Sequence, residues 1–198
     1  MLENKNFSNW NEDEIIESLK NGNVDALKFI MDLYQNNIFN IAYRMTGSYE
    51  DAVEVTQDVF FNFFRYIKNF RGKSSLLTYI YRIALNMSKD RIKILSRRKS
   101  RLTFSIDEEN LDTKKTMDLV DSNPGPEKQL QEKELLETLE DKLQGLSVEH
   151  KQIIIMRYID ELSYEEIAKI LNCSIGTVKS RLNRARSELK TKMRKYLV

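Results

Sequence analysis

Helix breakers are scarce in this chain of 198 residues, which holds 2 prolines and 6 glycines, about 4% together against an average near 12%. Sandwiches and barrels need turn residues at short intervals, so a β-rich fold is disfavoured. The one cysteine, Cys173, rules out an internal disulfide. With one histidine beside it, His150, a His/Cys zinc site lacks donors. No apolar run approaches the ~18 residues that a membrane-spanning helix needs. The first twenty residues carry Glu3, Glu12, Asp13, Glu14 and Glu17, which is unlike a secretory leader. A reducing, cytoplasmic location is expected. The chain also lacks a phosphate loop, a nucleophile constellation and metal-ligand spacing. No catalytic residue, metal or cofactor is therefore expected, and His150 has no evident catalytic partner.

What is present is charge, and it is segregated. The net charge is only +2. Yet residues 88–101 carry seven Lys/Arg against Asp90, residues 105–127 carry seven Asp/Glu against two Lys, and residues 177–198 carry eight Lys/Arg against Glu188. Two basic blocks parted by an acidic one suggest two polyanion-binding surfaces and a tether that avoids them. Solvated helix faces are the plainer alternative. Both prolines, Pro124 and Pro126, fall in Ser122-Asn123-Pro124-Gly125-Pro126, behind an acidic stretch without strong periodicity. Residues 102–128 therefore read as a flexible linker between a domain over 1–101 and another over 129–198.

Both flanking parts read as all-α. The first has a short helix over Glu12–Lys20, stopped at Asn21-Gly22. A long one runs from Val24 to Thr46 with Leu27, Ile30, Met31, Tyr34, Ile38, Ile41 and Ala42 on one stripe, and Gly47 stops it. Ser48 caps a third helix carrying Val55, Val59, Phe60, Phe61, Phe63, Phe64, Tyr66 and Ile67. That set is wider than one apolar face and leaves surface for a second contact. The polar loop 69–75 leads to a fourth helix, with Leu76, Ile80, Ile83, Ala84 and Met87 inside, which runs into the first basic block. In the second part the pattern predicts helices over 128–143, ended by Gly145, and over 148–159, capped by Ser147.

Two short helices follow. Ser163-Tyr164-Glu165-Glu166 is a capping box, and Ile167, Ala168, Ile170 and Leu171 form the buried side. Asn172-Cys173-Ser174 is the turn, with Ser174 placed to cap the next helix. Cys173 fits a small packing residue or a redox sensor. Helices joined by a turn this short form a helix-turn-helix. On the second helix Val178, Leu182, Ala185 and Leu189 fall within about 60° of arc. The opposite side holds Gly176, Ser180, Asn183 and Ser187, flanked by Thr177, Lys179 and Arg184. These are donors for base edges and phosphates, presented as a major-groove reader requires. An amphipathic hairpin that binds nothing, and a stand-alone dimeric helix-turn-helix regulator, remain compatible with this pattern alone.

Leu162-Ser163-Tyr164-Glu165-Glu166-Ile167-Ala168, followed by Gly176-Thr177-Val178-Lys179-Ser180-Arg181-Leu182-Asn183-Arg184-Ala185-Arg186, resembles region four of the extracytoplasmic-function sigma factors of bacterial RNA polymerase. Gly22-Asn23-Val24-Asp25-Ala26, Leu33-Tyr34, Asp51-Ala52, Gln57-Asp58-Val59-Phe60, Phe70-Arg71-Gly72 and Thr78 to Ala84 with Asn86 resemble region two. The resemblance covers nearly the whole chain, in the family's order. Tyr79 stands where many members have Trp, and Asn183 replaces a larger side chain. No further domain is expected after region four.

The resemblance implies core polymerase (clamp and flap), promoter DNA and an anti-sigma factor as partners. It places Thr177, Lys179, Ser180, Asn183 and Arg184 on the minus-thirty-five element. Arg181 and Arg186, nearer the buried stripe, are left to phosphates or structure. It places Asn69, Phe70, Arg71, Lys73, Ser74, Tyr79, Arg82 and Asn86 on the minus-ten element, where an extruded base needs a pocket to offset its unstacking. Core packing is the alternative for Tyr79. Asp51, Gln57, Asp58 and Phe61 fall on the family's polymerase-binding helix. The acidic linker fits either a nucleic-acid mimic in the polymerase channel or a solubilising tether.

Overall fold

The computed structural model describes residues 10–102, 138–194 and 196, with no side chain described over 99–102. Of the linker expected over 102–128 only Leu102 is described, as the last residue of a helix, and the rest, with most of the helix expected over 128–143, lies outside the described residues. All regular structure in the described part is helical: α1 (Glu12–Lys20), α2 (Val24–Thr46), α3 (Tyr49–Tyr66) with a 3-10 turn over Ile67–Asn69, and α4 (Leu76–Leu102). These are followed by α5, described over 138–144, then α6 (Val148–Tyr158), α7 (Tyr164–Leu171) and α8 (Ile175–Met193).

The boundaries follow from caps. Asn11 and Glu14 form a capping box at α1, Asn23 Oδ1 accepts from Asp25 and Ala26 N–H, and Ser48 Oγ accepts from Asp51 N–H (3.2 Å). Each satisfies N–H groups that an α-helix leaves without an internal partner. Gly47 ends α2 at φ +76°, a conformation that disfavours side chains with a Cβ. The Glu12 carboxylate accepts from Leu76 N–H, so α1 caps the start of α4.

Helices α2, α3 and α4 pack mutually, and α1 lies against α2 and the 3-10 turn. Ile30, Ile38, Ile41, Met45, Phe63, Ile67, Ile80 and Tyr81 are almost wholly buried there. In the second half α6, α7 and α8 enclose Ile153, Ile155, Met156, Ile167, Val178 and Ala185.

The two halves are joined. Helix α2 packs on α6, and α4 packs on α7. At this seam each half supplies donors to the C-terminal carbonyls of a helix in the other. Gln144 Nε2 donates to Arg44 O (2.9 Å), and Lys151 Nζ donates to Met45 O (3.3 Å) and Gln144 Oε1 (2.7 Å). In return, Arg82 donates from Nε to Ile170 O (3.2 Å) and from Nη2 to Lys169 O (2.5 Å). Last-turn carbonyls lack intrahelical donors and carry the negative end of the helix dipole, so cations suit them. A Cβ on Gly47 would stand 3.0 Å from Gln144 Cδ, so the Gln144 side chain would have to shift to admit it. A direct seam was not foreseen from a sequence that reads as two units on a tether. Its signal is Ile153-Ile154-Ile155-Met156, too apolar for a helix with one buried face.

Burial at the seam disturbs two charges. It pushes Lys151 down to about 8, and it pushes Asp160 up to about 7 despite Arg44 nearby. Asp160 Oδ2 has no hydrogen-bond partner among the described residues. Between its ordinary value and about 7 the folded state keeps Asp160 protonated while the unfolded chain releases that proton. Stability from this group is therefore present at low pH and lost as pH rises through about 7. Asp160→Asn should raise the melting temperature at pH 8 and change it little at pH 4, as followed by circular dichroism.

Candidate nucleic-acid interface

The helix-turn-helix is built by local chemistry. Ser163 Oγ accepts from Glu166 N–H (3.2 Å), and the Glu166 carboxylate accepts from Ser163 N–H (2.8 Å), which closes the box at α7. The Ser163 hydroxyl, donating to Glu166 Oε2 at 2.7 Å, and then the Ser163 N–H hold the Glu166 carboxyl below its ordinary value. Asn172 takes the left-handed conformation at φ 51°, one that Asn tolerates well, and its N–H donates to Ala168 O and Lys169 O. Ser174 Oγ then accepts from Thr177 N–H (3.1 Å) to start α8. Cys173 is free and half-buried in this turn.

Val178, Leu182 and Ala185 are buried beneath α8, and Leu189 is half-buried. Gly176, Lys179, Ser180, Asn183, Arg184 and Ser187 are exposed, and Thr177 is half-buried. The groove-facing set expected from the sequence thus shares one accessible side of α8. Ser180 Oγ donates to Thr177 O (3.0 Å), so its proton is committed within the helix while its lone pairs stay free. Arg181 is half-buried as expected. Arg186, read as lying near the buried stripe, is exposed instead. Sequence reasoning passed over Tyr164, whose ring stands beside both Arg157 and Lys179. His150 pairs with Glu188 through Nδ1 and Oε2 at 2.5 Å, a contact between α6 and α8 without sequence proximity. Behind α8 an open apolar cleft of about 710 Å³ runs between Leu139, Leu143, Ile154, Tyr158, Leu189 and Met193.

The region-two candidates divide by exposure. Asn69, Arg71 and Lys73 are exposed in the loop before α4, Ser74 is half-buried, and Gly72 turns the chain at φ +67°. Phe70, which the resemblance puts on the minus-ten element, is 7% exposed and offers no ring face to a base. Its ring packs 4.8 Å from Tyr79, which also meets Phe63 at 5.9 Å. Apolar burial takes Phe70 inward, where the Tyr79 ring offers it a partner. The half-buried Tyr79 joins this aromatic group, and burial raises its hydroxyl pKa. Asn86 is exposed, whereas Arg82 is held by the seam carbonyls of α7.

On α3 the exposed side carries Gln57, Asp58 and Phe61, and Phe61 is 65% exposed, unusual for so large an apolar group. Asp51 does not share that surface. It is 7% exposed and paired with Arg91 of α4, whose Nε donates to Oδ1 at 2.5 Å, and Arg91 also meets Glu54 at 2.7 Å. This removes one cation from the basic block and fixes α3 against α4. Among the described residues there is no metal-binding cluster, and no helix is long and apolar enough to cross a membrane.

A helix-turn-helix joined to a four-helix unit with a basic last helix is the architecture of a sigma factor. Residues 30–98 match the family model for Sigma-70 region 2, and residues 136–189 match that for Sigma-70, region 4. The chain is 35% identical over 182 residues to the ECF RNA polymerase sigma factor SigW of Bacillus subtilis, covering 90% of this chain and 95% of that one. It is 33% identical over 180 residues to the ECF RNA polymerase sigma-E factor of Haemophilus influenzae, covering 90% and 93%. In fold it is similar to CnrH in complex with the cytosolic domain of CnrY, with a TM-score of 0.65, 19% identity, and coverage of 91% and 95%. It is also similar to the sigma factor RpoE in complex with the anti-sigma factor NepR from Bartonella quintana, with a TM-score of 0.64, 21% identity, and coverage of 84% and 96%. The chain belongs to the ECF family of RNA polymerase sigma factors. It binds core polymerase and directs promoter-specific initiation.

The burial difference on α3 separates two acids that look alike in sequence. Asp51→Ala should cost about 1.5–3 kcal/mol, the range for a lost hydrogen bond to a charged group. Asp58→Lys, on the exposed side, should stay within about 0.5 kcal/mol. Urea denaturation of both variants checks the contrast.

Proposed function

We propose that α8 reads the minus-thirty-five element with Thr177, Lys179, Ser180, Asn183 and Arg184. The observation that carries this reading is their shared accessible side, opposite the buried Val178, Leu182 and Ala185. Small residues at 176 and 180 let the helix backbone approach the groove floor. The basic end of α8, with Lys190 and Lys192 in its last turn, faces phosphates. Arg184→Ala should cost ~1–3 kcal/mol on the best promoter and relax preference at one or two base pairs. Lys192→Ala should weaken binding to all sequences alike and flatten its salt dependence. Selection of promoter fragments by reconstituted holoenzyme is the test, and an unchanged preference with the 184 variant would place the docking face elsewhere.

Loop 69–75 and the start of α4 are proposed to hold an extruded base of the minus-ten element. Asn69, Arg71, Lys73 and Ser74 supply donors and charge on a short frame between two helices, and Asn86 continues the surface. Phe70 and Tyr79 support that frame from beneath. Asn69→Ala should leave binding of the upstream element intact and lower promoter melting. Permanganate reactivity of unpaired thymines, unchanged in this variant with normal transcript yield, would remove the loop from the mechanism.

Gln57, Asp58 and Phe61 are proposed as the anchor to the polymerase clamp, with the apolar cleft behind α8 facing the flap. The chain itself transfers no nucleotide and works in the cytoplasm. Arg82 is proposed to serve the minus-ten element from its place beside α7, where Nε and Nη2 hold two carbonyls and its other N–H groups stay available. An anti-sigma factor is proposed as a further partner, as NepR is for RpoE.

A further inference from the structure

Tyr164 is the first residue of α7 and is half-buried at the edge where α6, α7 and α8 meet. Two cations address its ring. The Arg157 guanidinium of α6 lies 5.2 Å from the ring centroid, and the Lys179 ammonium of α8 lies 5.8 Å from it. Arg157 is itself anchored, donating from Nη1 to Leu162 O at 2.9 Å, just before the capping box. The ring is thus fixed from the α6 side and leaves Lys179 as the mobile member of the set. With Ser180, Leu182, Asn183 and Arg186 these two residues line a cavity of about 280 Å³ beside the exposed side of α8.

Lysine is a compact charge on a flexible four-carbon stem, and fixing it in one orientation costs rotamer entropy. An aromatic face attracts an ammonium within about 6 Å of its centroid. We infer that Tyr164 is a positioning residue for promoter reading, whose ring holds the Lys179 ammonium on the DNA side of α8. Specificity at the base pair that Lys179 meets then depends on a residue outside the recognition helix. Tyr164 acts through Lys179 rather than by its own contact with a base. The chemistry required is an electron-rich ring face, not a hydroxyl, so phenylalanine suffices at this position and an aliphatic side chain does not.

This inference rests on α8 as the groove-facing helix, and a double-mutant cycle separates the two. Holoenzyme is assembled with the full chain carrying Tyr164→Leu, Tyr164→Phe, Lys179→Ala, or Tyr164→Leu with Lys179→Ala. Affinity is measured on the best promoter and on one changed at the Lys179-dependent base pair. Tyr164→Leu should lower affinity about 2- to 5-fold, as expected for an exposed cation–π contact. It should lower discrimination at that one base pair, and Tyr164→Phe should restore both. In the Lys179→Ala background Tyr164→Leu should have no further effect. An equal loss in both backgrounds would overturn the inference and assign Tyr164 to DNA or to the fold. If Lys179→Ala alone left binding and preference unchanged, the groove-facing reading of this side of α8 would fail first. A second measurement does not depend on how the leucine variant folds. In the intact chain the Lys179 ε-methylene protons should be shifted upfield by the ring and stay so in Tyr164→Phe. Unperturbed shifts in the intact chain would overturn the inference directly.

Discussion

Helix α6 is buried through its middle turns, and both halves of the molecule pack against it. Six consecutive residues, Lys151 to Met156, are buried. A surface helix needs only one apolar stripe, whereas this run has a lining for two partners. Helix α8 and α7 take one part of its circumference and α2 takes another. The apolar side chains give this contact its strength, since each fully buried Ile or Met contributes about 1.5–3 kcal/mol relative to exposure. The polar side chains give it direction. Lys151 can sit inside only because Met45 O and Gln144 Oε1 accept from it, and that fixes α6 against the end of α2.

The same polar groups also weaken the seam. A buried ammonium and a buried carboxyl each lose hydration that their partners replace only in part. Lys151 and Asp160 are displaced toward their neutral forms, which is the mark of that loss. Separation of the halves returns both groups to water, and it frees the last carbonyls of α2 and α7 to be solvated in the same way. Interfaces between domains of one chain are commonly of this mixed kind and open more readily than a core. Burial alone would favour closure; the restored hydration of charge and carbonyl offsets part of it.

Much of this architecture could be read along the chain because the signals are local. The bounds of α1 and α2 follow from Asn-Gly and Gly47 stops, and Ser48, Ser147, Ser163 and Ser174 each accept from the N–H three residues on. The accessible side of α8 was legible from a wheel because α7 and α6 bury its other side. What the sequence concealed depends on residues far apart in it. Asp51 looks like one more surface acid until Arg91, forty positions later, folds against it. Phe70 sits in a polar loop, and nothing local says that Tyr79 and Phe63 will take its ring. Arg82 is placed among the DNA contacts by the family resemblance, and its partners here lie 87 and 88 positions on. Tyr164 was read as the second letter of a capping box, while its ring looks across to another helix.

The seam treats the two proposed DNA surfaces unequally. Lys179, Ser180, Asn183 and Arg184 are exposed, and none of them donates across the α2–α6 or α4–α7 contacts. The upstream-reading side of α8 is therefore available while the halves are closed. Arg82 is held against α7 instead, with Nε and Nη2 each donating to a carbonyl of that helix. Asn69, Arg71, Lys73 and Asn86 stay exposed around it. On the proposed roles, contact with an upstream element needs no rearrangement, whereas moving Arg82 off its two carbonyls requires α4 to part from α7. The proposed anchor residues Gln57, Asp58 and Phe61 lie on the half that carries Arg82, whereas the capped turn that sets the pose of α8 lies wholly within the other half.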